Sequence, residues 1–156
     1  MRCVAVIFAG LVAGLWAVPA AADPCKTIPD RGPMPEFLRR GAVFSGPVVY
    51  VGDGDGLCVA VGEGPRGWVE VRVADFYAPE LNEPGGRAAK AILEHLAMGR
   101  RATCVAHNRS HDRIVARCRI DGRDLAEQMR RAGVVQGGRG REAARQTPSR
   151  VTRRVE

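Results

Sequence analysis

The feature that most constrains the fold is a double change in apolar period. From residue 69 to 73 apolar side chains recur at every second position, from 87 to 98 at every third or fourth, and in the strand-like stretches between 102 and 120 at every second again. A period of two belongs to strands with one face buried, and a period near 3.6 to an amphipathic helix. The stretch "VFSGPVVYVGDGDGLCVAVG" sets apolar runs at 48–51 and 57–61 around an Asp/Gly cluster at 53–56, which predicts a β-hairpin. "GEGPRG" supplies the next turn, and "WVEVRVADF" predicts a third strand with Val69, Val71 and Val73 on one face and Glu70, Arg72 and Ala74 on the other. Ala89, Ile92, Leu93 and Leu96 then share one face of a helix over 87–98, ended by Gly99. "RATCVAH" and "RIVARCRI" predict two more strands joined by the turn-rich "NRSHD". A last short helix carries Leu125, Met129 and Ala132 and stops at Gly133.

Five short strands with a helix after the third predict a mainly β, α+β fold. The architecture expected is a five-stranded Greek-key barrel of the OB type with two or three helices, whose open face commonly meets oligonucleotides. The N-terminus reads separately. Met1-Arg2 and the apolar run that follows end at Ala20-Ala21-Ala22, a small-residue cleavage pattern, so residues 1–22 are expected to be a signal peptide, with Asp23 the new N-terminus. The run is short for a stable span, so no stable membrane insertion is expected after cleavage, and the mature chain is expected to be secreted or periplasmic. Cys25 lacks the small-residue run of a lipoprotein box before it.

Loss of the leader removes Cys3 and leaves Cys25, Cys58, Cys104 and Cys118, an even number in a compartment where disulfides persist. Four cysteines allow three pairings. Cys104–Cys118 is preferred because the centre of that pair falls inside the turn of the last hairpin, which leaves Cys25–Cys58. The Pro-rich stretch 23–40 reads as an extended arm, 41–137 as the barrel domain, and 138–156 as a basic tail without a core of its own. Arg2 leaves with the leader, which takes the formal charge from +7 to +6 and still favours polyanionic partners.

Five motifs in order carry a resemblance: "DGDGL", "VRVADFYAPEL", "GGRAAKAILEHLAMGR", "DRIVARC" and "LAEQMRRAG". Together, over roughly residues 48–135, the chain resembles the staphylococcal-nuclease (thermonuclease-like) family. That resemblance implies a barrel of this kind and hydrolysis of a phosphodiester in DNA or RNA with Ca2+ or another divalent cation, by a monomer. A hard cation takes oxygen ligands, arginines neutralise charge on the phosphoryl group, and a carboxylate activates water.

By position, the resemblance implies that Asp55 binds the metal, with Asp53 the acidic residue two before it. Arg72 and Arg113 would hold the phosphate, and Glu80 would activate water. The backbone carbonyl of Ala78 would be a further ligand. The chain departs from the family at Tyr77, which stands where a second metal-binding Asp is expected; a neutral phenol is a poor calcium ligand. Asp75 lies two residues earlier, on the same side of an extended chain and about 6–7 Å away, and could stand in only if the strand end bends. A local pairing with an arginine is its other reading. The departure at Tyr77 also leaves a second functional reading, a barrel that binds nucleic acid or another polyanion without cleaving it.

The other polar candidates carry less. His95, His107 and His111 lack metal-ligand spacing, and no Cys-x-x-Cys pair suggests zinc. Tyr50 and Trp68 read as core aromatics or as stacking surface for a base.

Overall fold

The computed structural model describes residues 23–138. The expected leader over 1–22 and the expected tail, apart from Gly138, lie outside the described residues. Five strands close into a barrel: β1 (Val43–Val51), β2 (Gly56–Ala60), β3 (Trp68–Val73), β4 (Arg101–Ser110) and β5 (Arg113–Ile120). A short β6 (Arg123–Asp124) pairs with β5. Helix α1 (Gly86–Ala97) crosses between β3 and β4, and α2 (Leu125–Arg131) follows β6. The expected OB-type barrel is the observed one.

β1 pairs with β4 through its first half, where Phe44 faces Cys104, and with β2 through its second, where Tyr50 faces Cys58. An irregularity between Val48 and Tyr50 lets the strand turn from one partner to the other. β2 runs antiparallel to β3 with Leu57 opposite Val71. β3 and β5 close the cylinder in parallel, Val71 beside Ile114 and Arg72 beside Val115. The inward residues of this register, Leu57, Val59, Val69, Val71, Val73, Ile114 and Ala116, are all buried. Leu93 of α1, Leu125 and Met129 of α2, and Phe76 complete the core.

The helices end where their chemistry dictates. Asp124 caps α2 by accepting the Glu127 N–H at 3.0 Å, and Gly99 and Gly133 follow α1 and α2 with positive φ. Among the described residues no helix is long and apolar enough to cross a membrane.

Three extents differ from the sequence expectation: β3 stops at Val73, three residues before the expected Phe76, where Asp75 takes a left-handed φ of 59°. β1 starts at Val43, five residues before the expected run, and β4 continues to Ser110 through most of the expected turn. An irregularity between Ala106 and Asn108 absorbs the extra residue, so Cys104 still lies opposite Cys118. The chain reverses at His111, whose φ is 59°.

Disulfides join Cys104 to Cys118, with 4.0 Å between Cα atoms, and Cys25 to Cys58, with 5.9 Å. The N-terminal arm is held by more than its disulfide. Lys26 and Thr27 donate their N–H groups to the carbonyls of Pro65 and Trp68, and Ile28 and Leu38 are buried in the core.

Candidate functional site

Strand register gathers the charged side chains on the outer face of β1, β2 and β3. Tyr50, Cys58 and Glu70 stand side by side across the three strands, and Gly56 opposes Arg72. Because β3 and β5 are parallel with Val71 beside Ile114, the residue before each sets Glu70 beside Arg113. Arg72, Arg113 and Glu70 therefore share one surface.

Asp55 anchors this surface from below. The turn after β1 folds back because the Asp53 carboxylate accepts the Asp55 N–H at 3.0 Å. Asp55 is only 4% exposed, and its Oδ2 accepts hydrogen bonds from Arg72 Nη2 and from the Ala78 N–H, each at 3.1 Å. Burial pushes its pKa up to about 6; Arg72 opposes that rise, Asp53 adds to it, and the Ala78 N–H and Arg113 oppose it further. Gly54 makes the packing possible: a Cβ there would come within 2.6 Å of the Cβ atoms of both Ala78 and Ala89.

A cavity of about 380 Å³ opens beside Asp55. Its ionisable lining is Asp23, Asp53, Glu70 and Glu80, with Tyr50 on the wall. This donor set is all carboxylate, the chemistry that suits a hard cation rather than a soft one. Glu80 is half-buried, and its N–H donates to Glu83 Oε2 at 2.9 Å. The first residue of α1 is pressed against it, since a Cβ on Gly86 would collide with the Glu80 carbonyl. The helix start thus sets the position of Glu80.

The remaining expected positions are placed apart from this group or against it. The Tyr77 ring lies 5.5 Å from the Arg72 guanidinium carbon, a cation–π contact that occupies the arginine's other side. Asp75 is exposed, adopts φ 59°, and gives its carbonyl to Arg130 of α2 at 2.9 Å, which turns the strand end toward α2. The Ala78 carbonyl lies against Gly138, and the Tyr77 carbonyl accepts the Gly137 N–H at 3.0 Å. His95 and His111 are exposed, and His107 sits at the β4 irregularity. Lys90 stacks over Tyr50, with its Nζ 5.8 Å from the ring centre, while Trp68 is half-buried where the arm crosses β3.

Two members of the site escape sequence reasoning. Glu70 reads only as an outward strand residue and Asp23 only as an expected N-terminus, yet both line the cavity. The connecting signal is the disulfide: Cys58 is opposite Glu70, and Cys25, bonded to Cys58, is two residues from Asp23. Burial raises the Glu70 pKa to about 7, helped by the charge of Asp23, by a hydrogen bond with it, and by Asp112; Arg113 opposes the rise.

Among the described residues one cluster brings three potential metal-ligand atoms within 4.8 Å of each other: Asp23, Cys25 and Cys58. Its sulfurs are tied in the disulfide, so the carboxylate is its one hard donor.

Fold and site define a disulfide-bonded OB-type barrel that carries an acidic cavity flanked by arginines. No protein-family model matches the chain, and no curated protein matches it.

Proposed function

We propose that the protein is an exported phosphodiesterase of the thermonuclease type, acting on DNA or RNA with a divalent cation and working as a monomer. The observation that supports this best is that Arg72 bonds Asp55, the charge of Arg113 also reaches Asp55, and Glu80 lines the adjoining cavity bordered by Asp53 and Gly56. Arg72 and Arg113 would carry the charge that builds on the phosphoryl oxygens, and each is held on a strand, where little reorganisation is needed. Glu80 would take a proton from the attacking water. A divalent cation, Ca2+ first among the candidates, would be held by Asp55 and Asp53 and would polarise the phosphoryl group.

The contact between Tyr77 and Arg72 favours a second reading, a barrel that binds nucleic acid without cleaving it. An aromatic ring takes the place of a carboxylate ligand, and cation affinity follows ligand charge.

A cleavage assay on single-stranded DNA and RNA with Ca2+, Mg2+ and Mn2+ separates the two, using wild type and Tyr77→Asp. Cation-dependent cleavage by wild type, abolished by chelator and raised about tenfold in Tyr77→Asp, is the expected result. Salt-sensitive binding with no cleavage in either protein would establish the second reading.

A further inference from the structure

The outer face of β1, β4 and β5 has no part in the reading above. These three strands carry five arginines and no carboxylate. Register sets Ser45, Thr103 and Arg119 in one row across them and Val43, Val105 and Arg117 in the next, while Arg101 stands beside Pro47. All of these residues are exposed. Arg117 is neutralised by Asp124 at 2.8 Å, and Asp121, just past β5, is bonded to Arg100 at the same distance. Arg101 and Arg119 donate instead to neutral acceptors, the Ser45 hydroxyl at 3.4 Å and the Gly122 carbonyl at 3.1 Å. Neither has a carboxylate partner among the described residues. Both guanidinium groups are therefore positioned while their charge stays uncompensated. The face continues onto the arm, where exposed Phe37 lines a shallow depression with Arg40 and Val43. Glu36 on its rim is taken up by Arg39 at 3.3 Å, which leaves Arg40 as the available cation there.

We propose that this face is a second contact surface for single-stranded nucleic acid, with phosphates on Arg40, Arg101 and Arg119 and a base stacked on Phe37. Guanidinium groups beside the hydroxyls of Ser45 and Thr103 match phosphate oxygens, which accept from both. The exposed ring and the neighbouring Val43–Val105 pair suit the faces of unpaired bases. These two valines lie in the plane of a sheet rather than at a protruding tip, so the surface fits a linear polymer better than a lipid bilayer. It lies away from the cavity, whose strand residues Tyr50, Gly56, Leu57 and Glu70 belong to the second half of β1 and to β2 and β3. The inference rests on the reading above only in taking nucleic acid as the partner, and it does not require cleavage.

The test is fluorescence anisotropy with a labelled thymidylate oligomer of about 12 nucleotides, within the span one such barrel covers, in EDTA and over a range of salt. Arg101→Ala with Arg119→Ala should weaken binding at least about tenfold and reduce the salt slope by about 1.4, the share of two phosphate contacts on a single strand. Arg101→Lys with Arg119→Lys keeps the charge and should keep the slope. Phe37→Ala should cost about fivefold or more with the slope unchanged. Arg31→Ala with Arg131→Ala removes as much charge from exposed positions off this face and should change affinity by less than about twofold, because distant charges are screened. The proposal is overturned if the Arg101 and Arg119 alanine pair binds as wild type does, or if the Arg31 and Arg131 pair weakens binding equally. It is also overturned if the Arg101 and Arg119 pair loses affinity for phosphatidylglycerol–phosphatidylcholine vesicles while binding the oligomer unchanged. Should this face alone be misassigned, wild type still binds the oligomer and Arg72→Ala weakens it; should wild type not bind at all, the nucleic-acid reading falls with the proposal.

Discussion

Asp55 holds its carboxyl group behind the hairpin turn, 3.1 Å from Arg72, at the expense of most of its hydration. Its pKa in the fold, about 6, stands above the ordinary 3.8, and that of Glu70, about 7, above 4.5. A carboxyl group whose folded pKa is raised contributes stability that is complete below its unfolded pKa and lost as pH climbs through the folded one. Both groups therefore act in one direction, from about pH 4 to about pH 7. Asp124 acts oppositely. Its partial burial is outweighed by bonds from Arg117 and the Glu127 N–H, its pKa is lowered, and the stability it gives is lost only in stronger acid. In cation-free buffer the melting temperature should fall between about pH 5 and pH 7.5, with Asp55 worth about 1–3 kcal/mol of that loss. Thermal denaturation across this interval checks it: Asp55→Asn should flatten the profile. A wild-type profile that rises, or an Asn variant with the wild-type slope, would contradict the assignment.

At the scale of elements, the strands and helices follow from periodicity where residues alternate cleanly and fail where a local signal points elsewhere. β2, β5 and α1 lie within one or two residues of the expected bounds, because their apolar faces meet the core directly, whereas β3 stops three residues short. The first half of β1 is hidden by Gly46-Pro47, which reads as a turn; Pro47 is exposed, where the missing N–H costs nothing. β4 runs through Asn108, Arg109 and Ser110, all turn-forming types, because the pairing with β5 and an irregularity at His107 outweigh local preference. The contact between Gly86 and Glu80 is likewise invisible in sequence, since it joins a helix start to a loop by backbone packing alone. Gly86→Ala should force that contact apart, lower stability by about 1–3 kcal/mol and displace Glu80. Denaturant unfolding measures the first effect, and an alanine variant as stable as wild type would show that the helix start is free to shift.

Over the whole molecule, a net formal charge of +7 coexists with a strongly acidic cavity. Most of the candidate site was legible because its members follow motif spacing: Asp55, Arg72 and Arg113 converge through the β2–β3–β5 register, and Glu80 lines the adjoining cavity. Asp75 was not, because a single left-handed residue turns the strand end toward Arg130 and breaks the alternation from which its side was judged. Asp23 and Glu70 were not, because 46 residues of sequence lie between them and only the Cys25–Cys58 bond and the fold bring them together. The proposed hydrolysis has Glu80 take the proton from the attacking water. Its most direct test is cleavage of single-stranded DNA by purified wild type and Glu80→Gln in calcium, at matched melting temperatures and matched DNA affinity. The prediction is a loss of about a hundredfold or more in cleavage rate, the share a positioned base commonly supplies. Equal rates in the two proteins, or no cleavage by wild type, would contradict it.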